Sequence, residues 1–190
     1  MKWFFLTLCI GLFGLSNAQN TNVSKAGIFV GLSPESDLPV SLDSQSVFTK
    51  RSNKAVIGIS YSYQLKERFN FGIQASFHQV PFDIKTNSIT IENGTFNVKY
   101  LGLLGKFKWL QANQYSLQSG IGMGYDYTTK KFMTLTNSSF QTQLNETYTQ
   151  LRLSILLAEF EFFLNDNLYI NSSVNLGSPT FLSLGAGYSW

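Results

Sequence analysis

Thr180-Phe-Leu-Ser-Leu-Gly-Ala-Gly-Tyr-Ser-Trp190 alternates strictly: Leu182, Leu184, Ala186, Tyr188 and Trp190 are apolar, and Ser183, Gly185, Gly187 and Ser189 are small or polar. Period two is the signature of a strand with two unlike faces. A single strand with one apolar face needs partners, so the same alternation is expected in the segments upstream.

The composition limits what those partners can build. The 190 residues are 44% hydrophobic and 15% aromatic but only 13% charged, about half the charge of an ordinary soluble domain. Something other than a charged surface must keep such a chain dispersed. The formal charge of +3 is too small, and the lysines and arginines too scattered, for a nucleic-acid footprint.

At the other end, Lys2 precedes an apolar run from Trp3 to Leu15, followed by Ser16-Asn17-Ala18. This reads as a secretory signal peptide over 1–18, cleaved before Gln19, with one domain over 19–190. The apolar run is shorter than the roughly 20 residues of a spanning helix, and Leu6-Thr-Leu8 before Cys9 lacks the small residue of a lipidation site. Cleavage would remove Cys9, the only cysteine, and with it any disulfide or thiol chemistry.

Between these ends the alternation recurs. Ala26, Ile28, Val30 and Leu32 face away from Lys25, Gly27 and Gly31, with Phe29 as an exception. Ala55, Ile57, Ile59, Tyr61 and Tyr63 oppose Gly58, Ser60, Ser62 and Gln64; Phe69, Phe71, Ile73, Ala75 and Phe77 oppose Asn70, Gly72, Gln74, Ser76 and His78. In 95–109 the phase changes, from Phe96, Val98 and Tyr100 to Phe107 and Trp109, which predicts a β-bulge near Gly102 to Gly105. A fifth strand spans 115–128. A sixth, 147–163, changes phase between Leu157 and Phe160, predicting a second bulge. A seventh spans 168–176, so the closing strand is the eighth. Residues 33–53, 80–94 and 129–146 read as long connections, with Ile89-Thr-Ile91 in the second able to prolong a strand beyond the bilayer, and the remaining connections as short turns.

Eight antiparallel strands joined neighbour to neighbour predict an all-β, up-and-down barrel, a plan shared by lipid-embedded and soluble barrels. Here the polar face is mostly Gly, Ser, Gln and Asn rather than Lys and Glu, which suits a crowded interior and turns the apolar face to lipid. Long connections at one end and short ones at the other agree. Tyr61, Tyr63, Phe69, Phe71, Trp109, Tyr115, Tyr188 and Trp190 cluster near one set of strand ends, as an interfacial aromatic girdle would. Phe77, Phe96, Tyr125, Tyr127 and Tyr148 fall near the other.

In this pattern of signal, eight alternating strands and terminal aromatic, the chain resembles the small outer-membrane β-barrel proteins common in Bacteroidota, which include PorT-like secretion factors. In form it resembles the eight-stranded OmpA and OmpX barrels. The resemblance covers about Val23 to Trp190 and contains no diagnostic motif. It implies a place in the bacterial outer membrane, contact with its lipid, insertion by the barrel-assembly machinery, and a closing-strand signal at Leu182, Leu184, Ala186, Tyr188 and Trp190.

The sequence offers little chemistry. His78 is the sole histidine, and nothing aligns it with a serine and Asp126 as a hydrolase would need. No metal cluster, cofactor motif or phosphate loop is present. An eight-stranded interior is only wide enough to be filled by side chains. Lys25, Lys99, Lys106, Lys108 and Arg152 against Asp126, Glu159 and Glu161 are therefore expected to form a paired lumen network, because an unpaired buried charge is costly. Extending the register from the turn at 111–114 through the expected bulge pairs Lys108 with Ser116, Lys106 with Gln118, and Lys99 with Asp126. Three function classes follow: a non-enzymatic structural or interaction protein whose outer loops meet a partner, a lipid-modifying barrel enzyme, and a small-solute pore. The sequence favours the first.

Overall fold

The computed structural model describes residues 23–33, 37–42, 45–50, 55–85, 89–136 and 141–190. The signal-peptide reading of 1–18 lies outside the described residues.

The chain forms ten strands: β1 (Ser24–Leu32), β2 (Asp37–Leu42), β3 (Gln45–Lys50), β4 (Ala55–Lys66), β5 (Phe69–Lys85), β6 (Ile89–Gln111), β7 (Tyr115–Thr136), β8 (Gln141–Phe163), β9 (Leu168–Leu176) and β10 (Leu182–Ser189). Eight of them close into an antiparallel barrel in the order β1-β10-β9-β8-β7-β6-β5-β4, and β2 and β3 pair as a separate hairpin. At the seam, Lys25 to Leu32 run against Ser189 to Leu182 without a break. Ser24 and Trp190 complete it by exchanging two backbone hydrogen bonds of 2.9 Å. The alternation of the last stretch thus becomes closure of the sheet.

The alternation also sets facing. Ile121, Leu184 and Ile28 are 73%, 70% and 67% exposed on the outer wall, whereas Phe96 and Gln118 inside are at most 1% exposed. An apolar outer wall around a barrel with no open edge is the arrangement that satisfies a strand backbone in lipid. Phe29 and Val56, the apolar residues on otherwise polar faces, are buried inside.

Inward rings fit because they lie over glycine. Tyr100 covers Gly102 and Gly124, Phe29 covers Gly58, and the Tyr169 ring packs on Gly187; a Cβ at any of these glycines would collide with the ring above it. On the outer wall the constraint lifts, and a Cβ at Gly105 would meet only one carbonyl, at 3.9 Å.

Two sequence expectations change. The connections 80–94 and 129–146 are largely strand: β5 runs to Lys85 and β6 starts at Ile89, while β7 runs to Thr136 and β8 starts at Gln141. The backbone ladder continues through both; in 80–94 the alternation of Val80, Phe82 and Ile84 and of Ile89 and Ile91 carries it in the sequence, whereas 129–146 is rich in Thr, Asn and Gln and shows little. The bulge expected at Gly102 to Gly105 is absent, for Thr95 to Lys108 pair with Lys131 to Gln118 in unbroken register. The irregularity lies lower, between Lys108 and Leu110. Phe96, Val98 and Tyr100 therefore point inward and Lys99 outward. The second expected bulge is present: the ladders to both neighbours shift around Leu157 and Ala158.

Replacing outward Met123 with Arg should destabilise the inserted barrel by roughly 2–4 kcal/mol, whereas Thr147→Arg, in the polar region above, should cost little; urea titration in lipid vesicles reads both. In the same assay Gly124→Val should destabilise by roughly 1–3 kcal/mol through overpacking against Tyr100, and Gly105→Val should not.

The charged lumen as candidate functional site

The lower lumen holds two carboxylates on β8, Glu159 and Glu161, both inward and buried. Lys25 from β1 donates to Glu161 Oε2 at 2.6 Å, and Ser116 Oγ donates to the same oxygen at 2.7 Å. Lys106 from β6 donates to Glu159 Oε2 at 2.6 Å, joined there by Gln118 Nε2 at 3.3 Å. Asn171 from β9 donates to Glu159 Oε1 at 2.8 Å. Gln118 accepts in turn from Asn70 on β5 at 2.9 Å. Strands from all around the wall are thus tied together through two carboxylates.

Lys108 completes the layer by donating to Gln64 Oε1 at 2.8 Å. The ammonium of Lys25 also stands 4.8 Å from the Phe163 ring centre and 5.4 Å from that of Tyr169, a cation–π arrangement. Charge-assisted contacts of this length are the strong kind.

The upper lumen differs. Asp126 on β7 is buried and pairs with Arg152 on β8, whose side chain is 28% exposed. Around this level the interior is filled by Phe29, Val56, Val98 and Tyr100. Lys130 stands 5.2 Å from the Tyr148 ring centre.

Of the residues expected in the network, Lys25, Lys106, Lys108, Asp126, Arg152, Glu159 and Glu161 make lumen contacts. Lys99 does not: Tyr100 stands opposite Asp126, and Lys99 stands opposite Tyr127 on the outer wall. The upper lumen is an aromatic core rather than a polar face, so no bulge is needed to keep one face apolar. Lower down, Lys108 faces Gln118 and Lys106 faces Gly120, two residues from the expected partners, because the turn closes over 112–115 with Gln111 opposite Ser116, and the bulge takes back only one residue of that offset. The amides Gln64, Asn70, Gln118 and Asn171 do not stand out in the sequence; their only signal is an inward parity on polar faces.

The expected girdle residues gather at the lower rim. Tyr61 and Tyr188 contact Trp190 at centroid distances of 6.4 and 6.1 Å, Phe69 and Trp109 each contact Phe107 at 5.1 Å, and Tyr115 contacts Phe160 at 6.2 Å. Tyr63 and Phe71 are directly opposed across β4 and β5. At the upper rim Phe77, Tyr125 and Tyr127 are exposed outward, but Phe96 is wholly inside and Tyr148 lies beside Lys130.

His78 is buried in the upper lumen on β5. In the register Ser76 stands opposite Tyr100, and Tyr100 opposite Asp126. Among the described residues no cluster of three or more His, Cys, Asp or Glu side chains could hold a metal ion.

Comparison with known proteins shows the fold. No protein-family model matches the chain, and no curated protein matches it. Among solved structures it is similar to Ail, the attachment invasion locus protein of Yersinia pestis, in complex with the heparin analogue sucrose octasulfate: TM-score 0.52, 20% identity, 89% of this chain and 99% of that chain. A second structure of Ail gives 0.51 at 18% identity over the same shares. The N-terminal β-barrel domain of Pseudomonas aeruginosa OprF is more distant, at 0.46 and 13% identity over 90% of this chain and 100% of that one. At these identities the likeness is one of architecture. The chain has the fold of the small eight-stranded outer-membrane β-barrels, and with its apolar outer wall its place is the bacterial outer membrane.

Glu161→Gln should leave Lys25 buried without its anion, a change that costs roughly 3–5 kcal/mol when such a pair is broken. Asp126→Asn should cost clearly less, because Arg152 is part-exposed and can be hydrated. Equal shifts of the urea midpoint in vesicles would contradict this ranking.

Proposed function

We propose that this protein is a non-enzymatic outer-membrane barrel that acts as an interaction protein, meeting a partner through the sheet projecting above the apolar wall. One observation carries the reading. Gln79, Asn97, Thr129 and Thr147 form a polar row across β5 to β8, and above it the four strands continue as paired hairpins. Thr136 lies seven residues beyond Thr129, which at about 3.3 Å per residue and a tilt near 40° is roughly 18 Å along the axis. On the opposite side β9 ends at Leu176 and β10 begins at Leu182. The rim is therefore uneven, a raised sheet over β5 to β8 with the β2–β3 hairpin between β1 and β4, rather than a ring of equal loops.

The projecting sheet has an open side. From Thr147 upward, above the apolar wall, β8 pairs with β7 alone among the described strands, leaving a row of backbone donors and acceptors that an extended segment of a partner can join. Rigid scaffolds presenting such segments commonly carry binding. The attachment for which Ail is named supports a surface role of this general kind. A secretion or assembly accessory, as in the PorT-like proteins, is a specific form of the same reading and rests on the sequence resemblance alone.

Against a pore stands the tied lower lumen, where Glu159 and Glu161 draw groups from strands around the wall into one layer.

A photo-crosslinking residue placed at Thr147 or Gln150, on the open side of β8, should give a discrete adduct in intact cells. The same residue at lipid-facing Leu153 should give none, and replacing 132–144 with a short turn should abolish the adduct while the barrel still shifts on heating in a detergent gel. Discrete conductance in a planar bilayer with no adduct would favour the pore instead.

A further inference from the structure

Lys99 is exposed on the outer wall and forms no ion pair among the described residues. Its row reads Phe77, Lys99, Tyr127 and Thr149 across β5 to β8, directly below the polar row of Gln79, Asn97, Thr129 and Thr147. Trp109 of the lower rim is ten residues away on the same strand, about 25 Å along the axis at ~3.3 Å per residue and ~40° tilt, the height of the apolar band of such barrels. Lys99 therefore marks the level where acyl chains give way to headgroups.

Below it lies a groove of about 780 Å³, open to the outside. Ala75 forms its floor, between Ile59 and Leu101 in the register, and Ile57, Phe77, Tyr125 and Tyr127 form its sides. The wall around it carries large side chains, so the methyl of Ala75 leaves a hollow among them, and Lys99 lines the same hollow. A cation at this depth is costly unless it reaches the interface and meets an anion there.

We propose that this groove is a binding site for a phosphate-bearing lipid of the outer leaflet, one acyl chain lying over Ala75 and the phosphate held by Lys99. Charge selects the headgroup, and the small floor residue selects a chain rather than a flat surface contact. The site rests on the outer-membrane reading but not on the partner proposed for the projecting sheet.

The test uses the protein purified from its own membrane and placed in vesicles of phosphatidic acid and phosphatidylcholine in equal parts with the same acyl chains. Native mass spectrometry after extraction counts the lipids retained. Wild type should retain phosphatidic acid preferentially; Lys99→Gln should lower that preference roughly fivefold, the scale of one lysine at a charged lipid surface. Lys99→Arg should keep it, Lys131→Gln, higher on the projecting sheet, should leave it unchanged, and Ala75→Leu should reduce retention of both lipids. Equal preference in wild type and Lys99→Gln would overturn the site, as would an equal loss in Lys131→Gln, competition by millimolar inorganic phosphate, full retention in Ala75→Leu, or a dimer that Ala75→Leu abolishes. A detergent-gel shift on heating is read in parallel: failure of wild type to show it would overturn the membrane reading itself, whereas a normal shift with no lipid preference would overturn only the site.

Discussion

The structure depends on a single constraint: within hydrocarbon, no backbone donor or acceptor of a strand can be left without a partner. An open sheet of eight strands would leave two edges in lipid. Pairing β1 with β10 over Lys25 to Leu32 removes both at once. Every other feature of the transmembrane part follows from that closure, because a sheet of eight strands bent into a cylinder leaves an interior only a few side chains wide.

That narrow interior explains the glycines and the charges together. Tyr100, Phe29 and Tyr169 are accommodated only where the neighbouring strand offers hydrogen in place of a Cβ. Where aromatic rings do not fill the space, long polar side chains do, and they must be satisfied. Lys25 and Lys106 each find a carboxylate, Ser116, Gln118 and Asn171 donate to the same two carboxylates, and Asn70 donates to Gln118. The lower lumen is thus a cross-brace: Lys25 to Glu161, Lys106 to Glu159 and Asn70 to Gln118 each join strands that are not hydrogen-bonded neighbours, so the layer resists ovalisation as well as balancing charge. Asn171, which sits in a glycosylation-like Asn-Ser-Ser triplet, is committed inside this brace and is not a surface acceptor.

How far the sequence can be read follows from the same physics. Where one strand face meets lipid and the other the lumen, as in β7, β9 and β10, period two is enforced, and facing is legible residue by residue. Legibility ends where the environments on the two faces stop differing in the expected way. In β6 the upper lumen is apolar, so Phe96, Val98 and Tyr100 mimic a lipid face and the outward Lys99 mimics a lumen face. The true ladder runs straight through, and a change of filling imitates a bulge. In 129–146 a run rich in Thr, Asn, Ser and Gln hides the continuing strands β7 and β8 and reads as a loop, whereas Ile89-Thr-Ile91 keeps a trace of the alternation in β6. The amide members of the network are invisible for a further reason: Gln118 and Asn70 acquire partners only through a register fixed by a bulge at Trp109, and a one-residue slip changes every cross-strand pair.

The outward lysine also shows how the two ends of the barrel differ. At the lower rim the boundary of the apolar band is drawn by aromatic rings in mutual contact, Tyr61, Tyr188 and Trp190 on one side and Phe69, Phe107 and Trp109 on another. At the upper rim the corresponding row mixes Phe77 and Tyr127 with a cation and a hydroxyl, Lys99 and Thr149. Rings with polar edges tolerate any headgroup, whereas an ammonium at the same depth requires an anion. The two boundaries therefore differ in chemistry, a belt of rings at one end and a row with a cation at the other, and the projecting sheet rises from the end that carries Lys99.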